Sequence, residues 1–308
     1  MLEISNNSIS IFRSCQKKYY WNYIKGYAPF KKSNALSLGS IFHSAFNMFY
    51  NGCTDEEIVK FITDTCNDLI AQAPADQEED FVIMKYTLLG MWMYYPKDLS
   101  LFSDIKPEIT VRLKFIYGTR IILKADGLVT NADGRIWIRE VKTSGLPFSQ
   151  FERRCQLSHQ ASLYTYALKK LGYPVDGVMF DYIKKPGLRK SMKENKDQFG
   201  YRIMMDYKAR PDFYYQRHFA YLSNEKLELF EKDLKATTKD IKRRCRDGEW
   251  SRDTDSCWKY NSPCPYLPIC FMREPDLLTI QLFFKQEEIN PEKGGKSNDK
   301  KRNKTSHY

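Results

Sequence analysis

Apolar and polar positions change their period along this chain. From about residue 7 to 24, Phe12, Tyr19, Tyr20 and Tyr23 run beside Arg13, Lys17, Lys18 and Lys25, which predicts a helix with one basic side. A loop through Gly26 and Pro29 leads to a second predicted helix, from about Leu38 to Tyr50. Thr54-Asp-Glu-Glu57 has the form of a capping box, and Ile58, Phe61, Ile62 and Leu69 then share one helical side until Pro74. The whole segment 54–104 reads as helical and locally acidic, a lid or packing subdomain beside a core.

The period falls to two at 108–117, where the alternation is that of a strand. Two more runs, 120–125 and 135–139, flank a turn marked by Asn131-Ala-Asp-Gly134 and predict a hairpin. A helix at about 156–171, a strand near 177–183, a strand at 213–221 and a long helix from Asn224 to about Arg246 follow. Between them, residues 184–213 are polar and basic without periodicity and read as a long loop or β-excursion. Residues 285–308 are mainly Lys, Asn, Glu, Gly and Ser, the composition of a disordered basic tail.

The predicted hairpin carries chemistry. Its first run ends in Ala125-Asp126-Gly127, and its second leads into Glu140-Val141-Lys142. Glu140 and Lys142 are two apart, so on a strand they share one face while Val141 takes the other. The turn thus brings two carboxylates and a lysine together. Hard oxygen donors of this kind suit a hydrated Mg²⁺ or Mn²⁺, which lowers the pKa of a bound water beside a phosphodiester. Alone, Glu-x-Lys is more often a solvated ion pair, and Glu108 at a strand start is more often just solvated.

Composition agrees with a phosphate-bearing partner. The 308 residues carry a net charge of +11, a pI of about 9.1 and 15% aromatics; basic charge attracts phosphates, and aromatic faces stack on unpaired bases. No run nears the ~20 apolar residues that cross a bilayer, so no membrane partner is expected. The opening Met-Leu-Glu-Ile-Ser lacks the features of a secretory signal. A cytoplasmic setting follows, and with it eight cysteines that are thiols or metal ligands, not disulfides.

Further segments complete a pattern. Ser8-Ile-Ser-Ile-Phe-Arg-Ser-Cys15 opens the chain, and Gly39-Ser-Ile-Phe-His43 puts an imidazole on the second predicted helix. Gln160-Ala-Ser-Leu-Tyr164 sets two polar side chains four apart, on one helical face, and Cys257, Cys264 and Cys270 cluster late in the chain. In this order, around Asp126 and Glu140-x-Lys142, the sequence resembles the PD-(D/E)XK nuclease superfamily in its RecB-like branch, over most of residues 1–275.

The resemblance implies an α/β, restriction-endonuclease-like mixed sheet flanked by helices. The nuclease domain would span 1–284, with 54–104 as a helical insertion and the segment 257–270 closing onto Cys15, before a tail at 285–308. It implies that His43, Asp126, Glu140 and the main-chain carbonyl of Val141 hold Mg²⁺ or Mn²⁺ while Lys142 orients the attacking water. Gln160 and Tyr164 would pack beside the site, touching DNA and positioning the lysine. The bland alternative for His43 is a core histidine between Phe42 and Phe46. Arg13, Lys17 and Lys18 are the expected DNA-binding residues, with Tyr19, Tyr20 and Tyr214 as stacking candidates.

Iron–sulfur members of that family take one cysteine from the N-terminal helix and three from near the C-terminus. Cys15, Cys257, Cys264 and Cys270 divide in that way, and four thiolates suit a [4Fe–4S] cluster. The spacing departs from Cys-x-x-Cys-x5-Cys: Asn261 stands at the middle position and Cys257 lies upstream. Zinc is the rival occupant, and free buried thiols the bland one, as for Cys53, Cys66, Cys155 and Cys245. The expected activity is a metal-dependent DNA exonuclease acting on single-stranded or frayed ends in recombination, repair or phage DNA metabolism, with a helicase or recombinase as partner. Exonucleolytic action rests on the resemblance alone. Two rivals remain: a catalytically silent DNA-binding recombination scaffold, disfavoured by the intact Asp126, Glu140 and Lys142, and a restriction-type endonuclease, which needs no cysteine staple.

Overall fold

The computed structural model describes residues 1–30, 34–97, 99–259, 262–272 and 274–287, and of residues 34–37 and 99 the backbone alone. Its centre is a mixed six-stranded sheet of β1 (Leu2–Ile4), β2 (Phe102–Lys114), β3 (Thr119–Asn131), β4 (Ile136–Ser144), β5 (Val175–Lys184) and β6 (Tyr215–Tyr221). β2 runs antiparallel along one edge of β3. The other edge of β3 is shared: β1 pairs parallel with Thr119–Ile121, and β4 pairs antiparallel with Gly127–Thr130. Among the described residues, nothing is laddered to 122–126 on that edge, so β3 and β4 part just before Asp126. Gly127 belongs where it stands, since a Cβ there would meet the Lys106 carbonyl oxygen of β2 at 2.8 Å.

Side-chain alternation sends the two faces of the sheet into two helical layers. Ile121, Leu123 and Ile138 pack with Leu163, Leu234 and Ile241 in one core. The helices of that layer are α1 (Asn6–Ser14), α6 (His159–Lys170) and α8 (Asn224–Asp247). Val141 and Ile183 pack with Phe42, Ile58, Leu88 and Ile203 in the other. That layer consists of α2 (Asn34–Tyr50), α3 (Asp55–Ala71), α4 (Glu78–Met93) and α7 (Lys196–Ala209). The restriction-endonuclease-like α/β class expected from the sequence is the observed one.

Several local expectations change. The first predicted helix breaks at Cys15, whose backbone is extended (φ −166°), and resumes as the short turns Gln16–Tyr19 and Tyr20–Ile24. Residues 184–213 hold α7, started by a capping box between Asn195 and Gln198 and anchored through Phe199, Ile203 and Tyr207. α5 (Phe148–Gln156) is a separate helix ahead of α6, and β2 begins at Phe102, six residues before the expected start. The Thr54 capping box is present, with Thr54 and Glu57 bonded reciprocally at 2.8 and 3.2 Å. Phe284–Gln286 forms a strand against Tyr27–Pro29, across the expected tail boundary at 285. Residues 288–308 of that tail and Asn261 lie outside the described residues.

Candidate active site

Where β3 leaves β4, the freed backbone groups meet side chains. The Val141 N–H, which an unbroken ladder would have bonded to β3, donates instead to Asp126 Oδ2 at 2.8 Å. Asp126 Oδ1 lies 3.0 Å from His43 Nδ1, delivered by α2. On the opposite face of β4, Glu140 Oε2 receives Lys142 Nζ at 2.9 Å and Gln160 Nε2 at 2.9 Å. Gln160 is set by Ser158, whose hydroxyl caps the first turn of α6. One helical turn on, the Tyr164 hydroxyl donates to the Lys124 carbonyl, within the unladdered stretch, at 2.9 Å. His43, Asp126, Glu140, Lys142 and Gln160 are therefore assembled around one gap in the sheet, with Tyr164 fastening its edge.

The electrostatics of the gap are uneven. Burial pushes Glu140 up, to about 7; the nearby Asp126 adds to this while Lys142 and His43 oppose it. Burial also disfavours charge on Asp126, but His43, its hydrogen bond and Lys142 more than offset it, and the carboxyl is held low. Lys142, despite burial, is held high by Glu140 and then Asp126, and His43 is held high by Asp126 against the same burial cost. Glu140 is 2% exposed, and its Oε1 is buried without a hydrogen-bond partner. A buried acceptor left unpaired is costly, and the second carboxylate of the site, Asp126, disfavours its charge further. Among the described residues, no three His, Cys, Asp or Glu side chains stand close enough to form a metal-holding group as they are.

The remaining expected residues are placed as follows. Arg13 is exposed and donates to Thr237 Oγ1 at 3.0 Å. Lys17 is half-buried over the rings of Tyr20 and Trp21, at 4.5 and 4.6 Å from their centroids, and Lys18 is half-buried. Tyr19 and Tyr214 are fully buried, so both are core residues and not stacking candidates; sequence pattern alone does not separate a core aromatic from a surface one. Glu108 pairs with Lys124 at 2.7 Å on the surface.

The cysteine segments do approach each other. Ser256 Oγ donates to the Ser14 carbonyl at 2.8 Å, setting Cys257 beside Cys15, and Cys264 N donates to the Cys257 carbonyl at 2.8 Å. Arg252 Nε holds the Cys270 carbonyl at 2.9 Å. All four are free thiols; burial raises Cys257 and Cys270, and neighbouring cysteines add to the rise in both. Cys66 and Cys155 are buried as expected, whereas Cys53 is half-buried and Cys245 is exposed. Cys245 ends in this position because the last turns of α8 pass along the surface.

One set of residues was missed in the sequence. Arg139, 1% exposed, bonds Asp181 at 2.7 Å, the Tyr95 hydroxyl at 2.7 Å and the Tyr50 hydroxyl at 2.5 Å. Arg217 takes the second oxygen of Asp181 at 2.6 Å. The available signal was an arginine facing the same way as the apolar Trp137 and Val141 of one strand. Two comparisons with known proteins bear on identity. A search of curated proteins finds no match. The family description "PD-(D/E)XK nuclease superfamily" matches residues 3–271, which contain every site residue named above. Members of that superfamily are generally nucleases, and typically use Mg²⁺ or Mn²⁺. The chain belongs to the PD-(D/E)XK nuclease superfamily.

Proposed function

We propose that this protein is a metal-dependent deoxyribonuclease that degrades DNA from ends, as RecB-like exonucleases do. The observation that carries the hydrolytic part of this reading is the gap between β3 and β4, where two carboxylates, an imidazole, a lysine and a glutamine meet; action from ends rests on the family resemblance. The donor set fits a hard divalent cation: Glu140 Oε1 is a buried oxygen without a partner, and burial, with Asp126 nearby, raises that carboxyl to about 7 against Lys142 and His43. Asp126, Glu140, His43 and the Val141 carbonyl would hold Mg²⁺ or Mn²⁺, which supplies Lewis acidity and an acidified water. Lys142 orients the attacking water or neutralises charge gathering on the phosphate. Gln160 keeps Glu140 turned to its station, and Tyr164 keeps β3 from rejoining the ladder.

Cys15, Cys257, Cys264 and Cys270 are the proposed holders of a [4Fe–4S] cluster, whose role would be to tie two distant chain segments together. The hydrogen bonds that bring these segments together support that reading, as does the presence of four unpaired thiols within electrostatic reach. A place in recombination or repair, with a helicase or recombinase supplying unwound ends, belongs to the same proposal. It is tested by incubating linear and covalently closed DNA with Mg²⁺, Mn²⁺ or EDTA. Metal-dependent loss of the linear form alone is expected. Equal cutting of closed circles would replace the exonuclease reading with an endonuclease one.

A further inference from the structure

The turn between β2 and β3 contains the sole left-handed non-glycine residue among the described residues, Tyr117, with φ 54° and ψ 32°. Gly118 follows with φ 66°. Two left-handed residues in succession make the tight turn that a twisted hairpin favours, and Asn or Asp suits the first of them far better than a bulky ring. The ring of Tyr117 is not recruited by the core either, for the residue is 56% exposed. A local strain that buys no burial points to a use outside the fold.

The ring lines a groove against the last turns of α8. Lys239, Lys242, Arg243 and Arg246 recur there at helical spacing and line the same groove, with Asp240 as the one carboxylate in its wall. Arg243 pairs with Asp240 at 2.6 Å and Arg246 with Asp247 at 2.7 Å, whereas Lys239 and Lys242 have no ion-pair partner among the described residues. Arg13 of α1 reaches α8 through Thr237, and Gln16, just past the break at Cys15, through Asp240 itself at 3.4 Å, so the N-terminal segment borders the groove.

We propose that the groove between Tyr117 and α8 is a second nucleic-acid contact, separate from the catalytic gap. Its lysines and arginines take backbone phosphates, and the Tyr117 ring stacks on an unpaired base. β3 is the ruler between the two places. Seven residues of extended strand separate Thr119 from Asp126, roughly 23 Å, or about seven nucleotides at the ~3.4 Å phosphate spacing of a stacked strand. The groove thus engages strand that extends beyond the bond being cut, a conclusion that rests on the nuclease reading for the identity of its ligand.

Fluorescence anisotropy in EDTA tests this with single strands of about 4 and about 20 nucleotides. The Lys239→Glu/Lys242→Glu double variant is expected to lose roughly tenfold or more on the long strand and to lower its salt slope by about 1.4, the share of two phosphates. It should bind the short strand as wild type does. Tyr117→Asn should melt at a higher temperature yet bind the long strand roughly fivefold or more weakly, since it relieves the turn and removes a stacking face. Equal losses at both lengths, no binding at either, or undiminished binding by Tyr117→Asn overturns the proposal. Cleavage with Mn²⁺, scored separately, keeps the two claims apart: persistent cleavage with length-independent binding sinks the groove alone, and a length-dependent groove without cleavage sinks the catalytic reading alone.

Discussion

Glu140 shows how much a single residue depends on what surrounds it. Free in water a glutamate titrates near 4.3; here burial moves it to about 7, with Lys142 on Oε2 and then His43 opposing the rise and keeping the ionised form within reach. His159 shows the opposite case. Burial and then Arg13 hold it down to about 4; Nδ1 contacts Asn6 at 2.9 Å and Nε2 is buried without a partner to accept a second proton. Because the folded value lies below the unfolded 6.5, stability is full above about pH 6.5 and drains as pH falls towards 4, by about 3 kcal/mol at most. Urea unfolding at about pH 7 and about pH 4.5 should therefore show a smaller acid loss in His159→Phe than in wild type. Identical losses would remove His159 from the account. Asp126, Glu140, Lys142, His43 and Gln160 were legible because each sits in a short spacing motif. The burial of Tyr19 and Tyr214 was not, because an aromatic ring on a helix looks the same in sequence whether it faces core or solvent.

At the scale of elements, the site exists because β3 changes neighbours. The mainly apolar run that marks β3 in the sequence, Arg120 to Ala125, carries no sign of a change of partner, so nothing in the pattern tells where β1 ends and β4 begins. α7 is a different kind of miss: its Asn195–Gln198 capping box was readable, but flanking lysines and aspartates hid the apolar spacing of Phe199, Ile203 and Tyr207. The Arg139–Asp181 pair then locks elements together. Its guanidinium stacks on Phe46 and Tyr50 of α2, 4.8 Å from each ring centroid, one residue before Glu140 on β4. The helix bearing His43 is thereby fixed to the strand bearing the other site residues. Arg139→Leu should cost about 3–5 kcal/mol, the range for breaking a buried pair, because Asp181 then keeps one cation, Arg217, with the Tyr95 hydroxyl as a neutral donor. A change in urea midpoint corresponding to less than about 1 kcal/mol would show that the pair is dispensable to the fold.

At the scale of the molecule, the two helical layers bury opposite faces of one sheet, and the basic N-terminal helix lies against the end of α8. No described helix is long and apolar enough to cross a membrane. A hydrogen bond from Ser256 Oγ to the Ser14 carbonyl holds the segment before Cys257 against the end of α1. Cys264→Ala is expected to bleach any brown colour of the purified protein and to lower its melting temperature by several degrees, as removal of a cross-link between distant segments does. A colourless, equally stable wild type would discard the cluster.

The central claim is that the β3–β4 gap is a hydrolytic centre. End-labelled DNA incubated with Mn²⁺, wild type beside Lys142→Ala, tests it most directly when DNA binding by both proteins is measured in parallel. Stepwise shortening by the wild type, reduced by at least about 100-fold in the variant with binding retained, is the predicted result. Undiminished shortening by Lys142→Ala would contradict the claim.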